Sequence, residues 1–250
     1  MPLTPFVVSV ALLLATMFLA VMIGPVPIAP GGVLRILVSH LPLLRLHSGA
    51  TALNQAIVWD LRAPRVVLAA LVGSMLAGGG AAYQGVFRNP LADPYLLGIA
   101  AGAGLGATVV MDASLGGSLV VPVAAFGGAV VAVAMTYVIG AAGGGLGGRA
   151  NQAIILAGVA VAALFTAFQT YLQQQHSEKI QQIYNWLLGS FATASWSDVT
   201  LIVPYVALGA GVLLAHRKYL DILRVGEDEA GSLGVHVGRT RLLIVAAATL

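Results

Sequence analysis

Charge is the first thing this chain lacks. Only 8% of its residues are charged and 59% are hydrophobic, with a mean hydropathy of +0.94, whereas a soluble domain carries about 25% charged residues. So few ionisable groups exclude a water-soluble globular protein and imply an integral membrane protein. Cysteine is absent altogether, which excludes a disulfide framework, thiolate catalysis and any cysteine-ligated metal. Histidine is sparse, and His40, His47, His176, His216 and His236 show no metal-ligand spacing, so no metal site is expected. There is no lysine- or arginine-dense run of the kind that follows a nucleic-acid backbone, and the net charge is only +3. Nucleic acid is not an expected partner.

What the chain has in quantity is long apolar runs. A helix crosses the hydrocarbon layer with about 20 mainly apolar residues. Runs of that kind occupy Phe6–Ile23, Val66–Phe87, Tyr95–Met111, Leu119–Ile139, Ala153–Tyr171 and Val199–Ala215. The first lacks the basic flank of a signal peptide and reads as a retained span. The expected fold is therefore an all-α, polytopic helical membrane bundle with six full spans. A seventh begins after Arg241, and because it stops short of a bilayer width the chain is expected to be a C-terminally truncated piece. Residues 1–250 read as a single transmembrane domain.

Basic residues orient such a bundle, since cytoplasmic loops are richer in them. With the N-terminus inside, Arg88, Arg149, Arg217, Lys218, Arg224, Arg239 and Arg241 fall on the inner side, against Arg35, Arg45, Arg62, Arg65 and Lys179 outside. The charged stretch 217–240 then faces the cytoplasm. Arg62 and Arg65 flank Pro64 at the outer start of the second span, where they suit an acidic protein patch or simply snorkel to the headgroups.

Small residues let membrane helices approach closely. Gly98, Gly102 and Gly106 recur every four residues, and Gly73, Gly78, Gly79, Gly80 and Gly85 thin the preceding span. The Gly140–Gly148 cluster lacks the Gly-Lys-Ser/Thr ending of a phosphate-binding loop and reads as a flexible inner loop. No nucleophile, base or paired carboxylates of catalytic pattern appear, so no catalytic residue is expected. Gln169, Gln173 and His176 share one helical face by their spacing. They suit a water-filled cavity or the bundle interior, or else a helix end emerging into water. Tyr184, Trp186 and Trp196 read as interfacial aromatics. The glycine-broken, acidic stretch from Tyr219 to Gly238 suits a short surface helix gripped by a cytoplasmic partner, or one resting on the membrane.

Five ordered motifs carry a resemblance: Leu61-Arg62-Ala63-Pro64-Arg65, the hinge Gln84 to Pro94 (QGVFRNPLADP), Leu156-Ala157-Gly158-Val159, Trp186-Leu187-Leu188-Gly189-Ser190, and Gly226-Glu227-Asp228-Glu229-Ala230 with Leu233-Gly234-Val235. Together they resemble the FecCD-type permease family of bacterial ABC importers for iron-siderophore, haem or cobalamin. The resemblance implies the type II importer fold, with about ten helices in the complete family member. It implies a second permease subunit, as homodimer or close paralogue, two ATP-binding subunits and an extracytoplasmic substrate-binding protein, in the bacterial cytoplasmic membrane. This chain then holds no cofactor, and ATP and Mg belong to the partner ATPase.

The same resemblance implies roles for individual residues. Arg62 and Arg65 would dock the binding protein, and Asn89, Leu91, Asn151 and Gln152 would form the cytoplasmic gate. Asp221, Gly226, Glu227, Glu229, Ala230, Leu233 and Gly234 would couple to the ATPase. Gln169, Gln173 and His176 are the pathway-lining candidates from their shared face. The substrate expectation is iron-siderophore, with cobalamin or haem as alternatives. A secondary transporter would need ionisable residues at mid-membrane, which the spans lack, and a non-transporting scaffold would need no coupling element.

Overall fold

The computed structural model describes residues 3–40, 49–115, 117, 119–144 and 149–249, and among these every regular element is helical. Arg45, His47 and residues 145–148 of the glycine cluster lie outside the described residues. In chain order come α1 (Leu3–Met22), α2 (Pro30–Ser39), α3 (Ala52–Gln55), a π-helical segment (Ala56–Arg62) and α4 (Ala63–Phe87). A 3-10 turn (Pro94–Leu97) precedes α5 (Ile99–Asp112), α6 (Val120–Gly144) and α7 (Arg149–Gln175). A second 3-10 turn (Ser177–Lys179) leads to α8 (Ile180–Leu188), α9 (Trp196–Ala215), α10 (Arg217–Val225), α11 (Glu227–Ser232) and α12 (Val237–Thr249).

Five stretches are long and apolar enough to cross a membrane: Thr4–Met22, Ala52–Phe87, Val120–Gly143, Gln152–Gln175 and Trp196–Ala215. They correspond to five of the six expected spans. The remaining one, expected over Tyr95–Met111, is instead the 14-residue α5. At about 1.5 Å per residue it reaches roughly 21 Å, short of a layer near 30 Å thick. The cause is local: Gly98 stands ahead of α5 at φ +75°, a left-handed turn that separates the helix from the 3-10 turn before it.

The chain divides into two compact units, Met1–Ser74 with Ser190–Tyr205, and Met75–Gly189 with Val206–Leu250. In the first, Val21, Val33, Ile36 and Val58 form one buried cluster, and Leu68, Ala194 and Val199 form another. In the second, α5, α6 and α7 pack mutually. Here the four-residue glycine repeat does what its spacing suggests. A Cβ on Gly102 would overlap the carbonyl oxygen of Gly128, and one on Gly106 the carbonyl oxygen of Ala124. Backbone thus meets backbone across α5 and α6, which only glycine permits.

Candidate functional site

In the first unit, the helix entering at Ala52 widens into a π segment just ahead of Pro64, with the Ala63 amide donating to Val58 O five residues back. A π turn takes up one extra residue and rotates the next stretch of helix about its axis. Arg62, at its end, is buried, and its guanidinium donates to Val21 O, Met22 O and Val26 O at 3.1, 3.0 and 2.6 Å. This is the reverse of the expected surface posture, because three carbonyls around the end of α1 take up the charge. Arg65 is half-buried, and its Nε meets no protein acceptor. Both arginines line a cavity of about 360 Å³ walled by Ile23, Pro25, Val26 and Leu61.

Beside it sits an aromatic stack that sequence reasoning did not anticipate. His40 stacks on Trp59 at 4.0 Å, Trp59 lies 4.7 Å from Trp196, and Trp196 Nε1 donates to Trp59 O at 2.9 Å. Trp196 is therefore half-buried with a satisfied N–H, and it stands at the start of the long apolar helix Trp196–Ala215. Trp186 and Tyr184 do stay exposed.

In the second unit, the hinge after α4 is an ordered turn. Arg88 takes φ +51°, Asn89 Oδ1 accepts from Leu91 N at 2.9 Å, and Asp93 Oδ1 accepts from Tyr95 N at 2.8 Å. Two side chains thus stand in for backbone acceptors, as Asn and Asp do in turns. Leu91 projects outward at 83% exposure, whereas its neighbour Ala92 is buried. Gln152 is exposed at the start of α7, and the side chain of Asn151 lies outside the described residues.

Along α7, Gln169 and Gln173 are buried. Gln169 Oε1 lies over Gly104 of α5, so these amides face the bundle interior, one of the environments left open by their spacing. His176 emerges at the helix end, with Nδ1 2.6 Å from Asp112 Oδ1. Lys179 ties the same corner by donating to Asp112 O and to Ser114 Oγ. The opposite face of α7 is apolar and exposed: Leu156, Val159, Leu164, Phe168 and Tyr171.

The stretch 217–240 is two short helices and a turn. Leu223 of α10 and Ala230 of α11 are buried, while Asp221, Glu229 and Leu233 are exposed. Gly226 joins the helices in extended conformation, with the Glu229 carboxylate against it, and the side chain of Glu227 lies outside the described residues. The end of α11 is a Schellman motif. Gly234 is left-handed at φ +77°, Val235 N donates to Ala230 O, and Gly234 N donates to Gly231 O.

One core joins these parts. Leu223 and Ala230 share a buried cluster with Phe87 and Ala92 of the hinge, Ile154 of α7, and Ile244 and Val245 of α12. The hinge and the two short helices thereby meet in one block of packed side chains, which includes Ala230 of the expected coupling residues, while Leu91 and Gln152 of the expected gate stand exposed outside it.

Comparison with known proteins places the chain in a family and bears out the all-helical fold. The model of the FecCD transport family matches residues 12–250, and the chain belongs to that family. It is 37% identical over 205 residues to the cobalamin import system permease protein of Halobacterium salinarum, covering 82% of this chain and 55% of that protein. It is 35% identical over 243 residues to the hemin transport system permease protein of Yersinia pestis, covering 86% of this chain and 70% of that one. Against the solved structure of a metal-chelate type ABC transporter in an inward-facing conformation, the TM-score is 0.77 at 25% identity, over 96% of this chain and 70% of that one. The chain spans about half the length of the first relative.

Proposed function

We propose that this member of the FecCD transport family is the membrane-spanning permease of an ATP-driven importer of a metal chelate, with ferric siderophore the first cargo to test and haem or cobalamin the alternatives. Relatives named for cobalamin, iron and hemin uptake support the chelate class without selecting within it. In this reading two ATP-binding subunits, a second permease and an extracytoplasmic binding protein complete the machine in the cytoplasmic membrane.

The observation that carries the proposal is the shared core of the coupling helices and the hinge. Burying one leucine and one alanine there is worth about 2–3 kcal/mol, enough to hold α10 and α11 firmly on the bundle. A partner ATPase gripping the exposed Asp221, Glu229 and Leu233 would then move Leu223 and Ala230. Close-packed interiors transmit displacement rather than absorb it, so Ala92 and Ile154 would follow. That would shift the gate formed by Asn89, Leu91, Asn151 and Gln152.

The exposed apolar stripe of α7 suits contact with a second permease and the margin of the pathway between the two. Gln169 and Gln173 lie buried on the other side of α7, with Gln169 over Gly104 of α5, and His176 stands at its end. Among the described residues, no Asp, Glu, Lys, Arg or His occupies the middle of a long helix, which disfavours an ion-gradient mechanism. Energy would enter through the coupling contact alone.

The test is uptake of labelled ferric siderophore, haem and cobalamin by cells carrying or lacking the complete reading frame, its ATPase and its binding protein. Loss of one cargo on deletion supports the proposal and names the substrate. Retention of all three, with Gly226 to Gly234 deleted as a second variant, overturns it.

A further inference from the structure

Helix α5 meets its two neighbours through opposite sides. At about 100° per residue, Gly102 and Gly106 look to α6, while Gly104, Thr108 and Asp112 fall together on the side away from it. That side belongs to α7, and two contacts fix the register there. Gln169 Oε1 lies over Gly104, and His176 Nδ1 stands 2.6 Å from Asp112 Oδ1. Between these contacts, one helical turn from each, come Thr108 of α5 and Gln173 of α7.

Polar atoms along this seam are buried without a protein partner. Thr108 is 0% exposed and Gln173 6%. Thr108 Oγ1, Gln173 Nε2 and Asp112 Oδ1 make no hydrogen bond to the protein. The approach of His176 to Asp112 is short, but it lacks the alignment of a hydrogen bond. Folded proteins pair nearly all such atoms, either with one another or with ordered water. Three of them on successive turns of one seam therefore call for a common partner.

We propose that the Asp112–His176 end of the α5–α7 seam is an internal water site, in which ordered water bridges Thr108 Oγ1, Gln173 Nε2 and Asp112 Oδ1. The chemistry of the set selects water. An amide N–H only donates, a carboxylate only accepts and a hydroxyl does both, so the shared partner must donate and accept. A cation is refused by the Gln173 donor and by Lys179, whose ammonium already donates to Asp112 O and Ser114 Oγ at the rim. An anion is refused by the Asp112 carboxylate. The site has a floor, because a Cβ on Gly104 would stand 2.8 Å from Gln169 Oε1 and 3.0 Å from Leu187 Cδ2. It has an outlet where His176 emerges at the end of α7. The three-helix group then has one dry seam, between α5 and α6, and one wet seam, between α5 and α7. Neither the cargo nor the partners of the importer enter this argument.

Thermal unfolding of the assembled complex tests the site through the sign of one substitution. Thr108→Val removes the hydroxyl and keeps the shape. With water bound, the transition should fall by about 2–4 °C, the worth of one hydrogen bond in a chain of this size. With a dry hydroxyl, valine would relieve a buried unpaired group and the transition would rise. Gln173→Leu should also lower the transition, and the double variant should lower it by less than the sum, because both lose the same water. A density map of the complex fine enough to show ordered water should carry a peak within hydrogen-bond reach of Thr108 Oγ1 and Gln173 Nε2. A transition unmoved or raised by Thr108→Val, strictly additive shifts, or a map in which the two side chains bond directly with no peak between them overturns the proposal. Should Gln173→Leu fail to assemble, Thr108→Val and the map still decide it.

Discussion

Two adjacent stretches, α4 and α5, are both rich in glycine and both apolar, yet their glycines meet opposite surroundings. On α5, Gly102 and Gly106 lie directly against the backbone of α6. On α4, Gly73, Gly78 and Gly80 have nothing within 4 Å of the place a Cβ would occupy, and Gly85 meets side-chain atoms of Leu220 and Arg224 rather than backbone. Spacing alone does not distinguish them. A glycine in a membrane helix is a close-contact residue only where another helix backbone actually arrives, and that is a tertiary fact.

The sharpest break of this contrast is Gly106→Leu. Its side chain would have to displace the Ala124 carbonyl, and neither backbone can yield without separating α5 from α6. We expect a loss of more than about 3 kcal/mol, beyond ordinary overpacking. The purified protein should then show no cooperative thermal transition. A melting profile equal to that of the unaltered protein would mean that α5 and α6 do not meet at this glycine.

A smaller effect is expected at Gly234, a third kind of glycine. Nothing lies within 4 Å of its Cβ position, but its φ of +77° is one that side-chain-bearing residues rarely adopt. Gly234→Val should cost about 1–2 kcal/mol through strain in the left-handed region. It should loosen the end of α11 and uncouple ATP hydrolysis from uptake, with membrane insertion unaffected. Normal uptake at normal ATP consumption would take this turn out of the coupling path.

How much of the molecule is legible in its sequence obeys the same division. The membrane class and the long helices are readable because the length of an apolar run is a local property measured against a fixed bilayer thickness. The hinge is readable too, since Asn89 and Asp93 satisfy their own neighbours' amides. The shortness of α5 is not, because an apolar tally does not register the left-handed turn at Gly98. Nor is the inward posture of Arg62. Its direction depends on a π turn and on carbonyls some forty residues earlier, joined to it by long-range hydrogen bonds. The amphipathic face of α7 is visible in the spacing, but its polar side turns inward and its apolar side outward, as suits a helix whose exposed surface meets lipid or another apolar protein face rather than water.

Gly104 lies between the extremes and refines the scale. A Cβ there would meet Gln169 Oε1 at 2.8 Å and Leu187 Cδ2 at 3.0 Å, both ends of side chains rather than backbone. Gly104→Ala should therefore cost about 1 kcal/mol, as Gln169 gives way and the gain in helix propensity offsets part of the loss. Pairing it with Gln169→Ala should recover most of that cost by opening the space. Simple additivity of the two would mean that the side chains do not compete.

The smallest change, Gly78→Ala, is the most informative about α4. With nothing near its Cβ position among the described residues, alanine should be neutral or add up to about 1 kcal/mol through helix propensity. A thermal transition unmoved or slightly raised would confirm that no backbone meets α4 at this glycine. A clear loss would mean that another backbone comes as close to Gly78 as α6 comes to Gly106. The two glycine helices would then differ only in which neighbour supplies the contact, and the contrast between α4 and α5 would reduce to one packing rule applied twice.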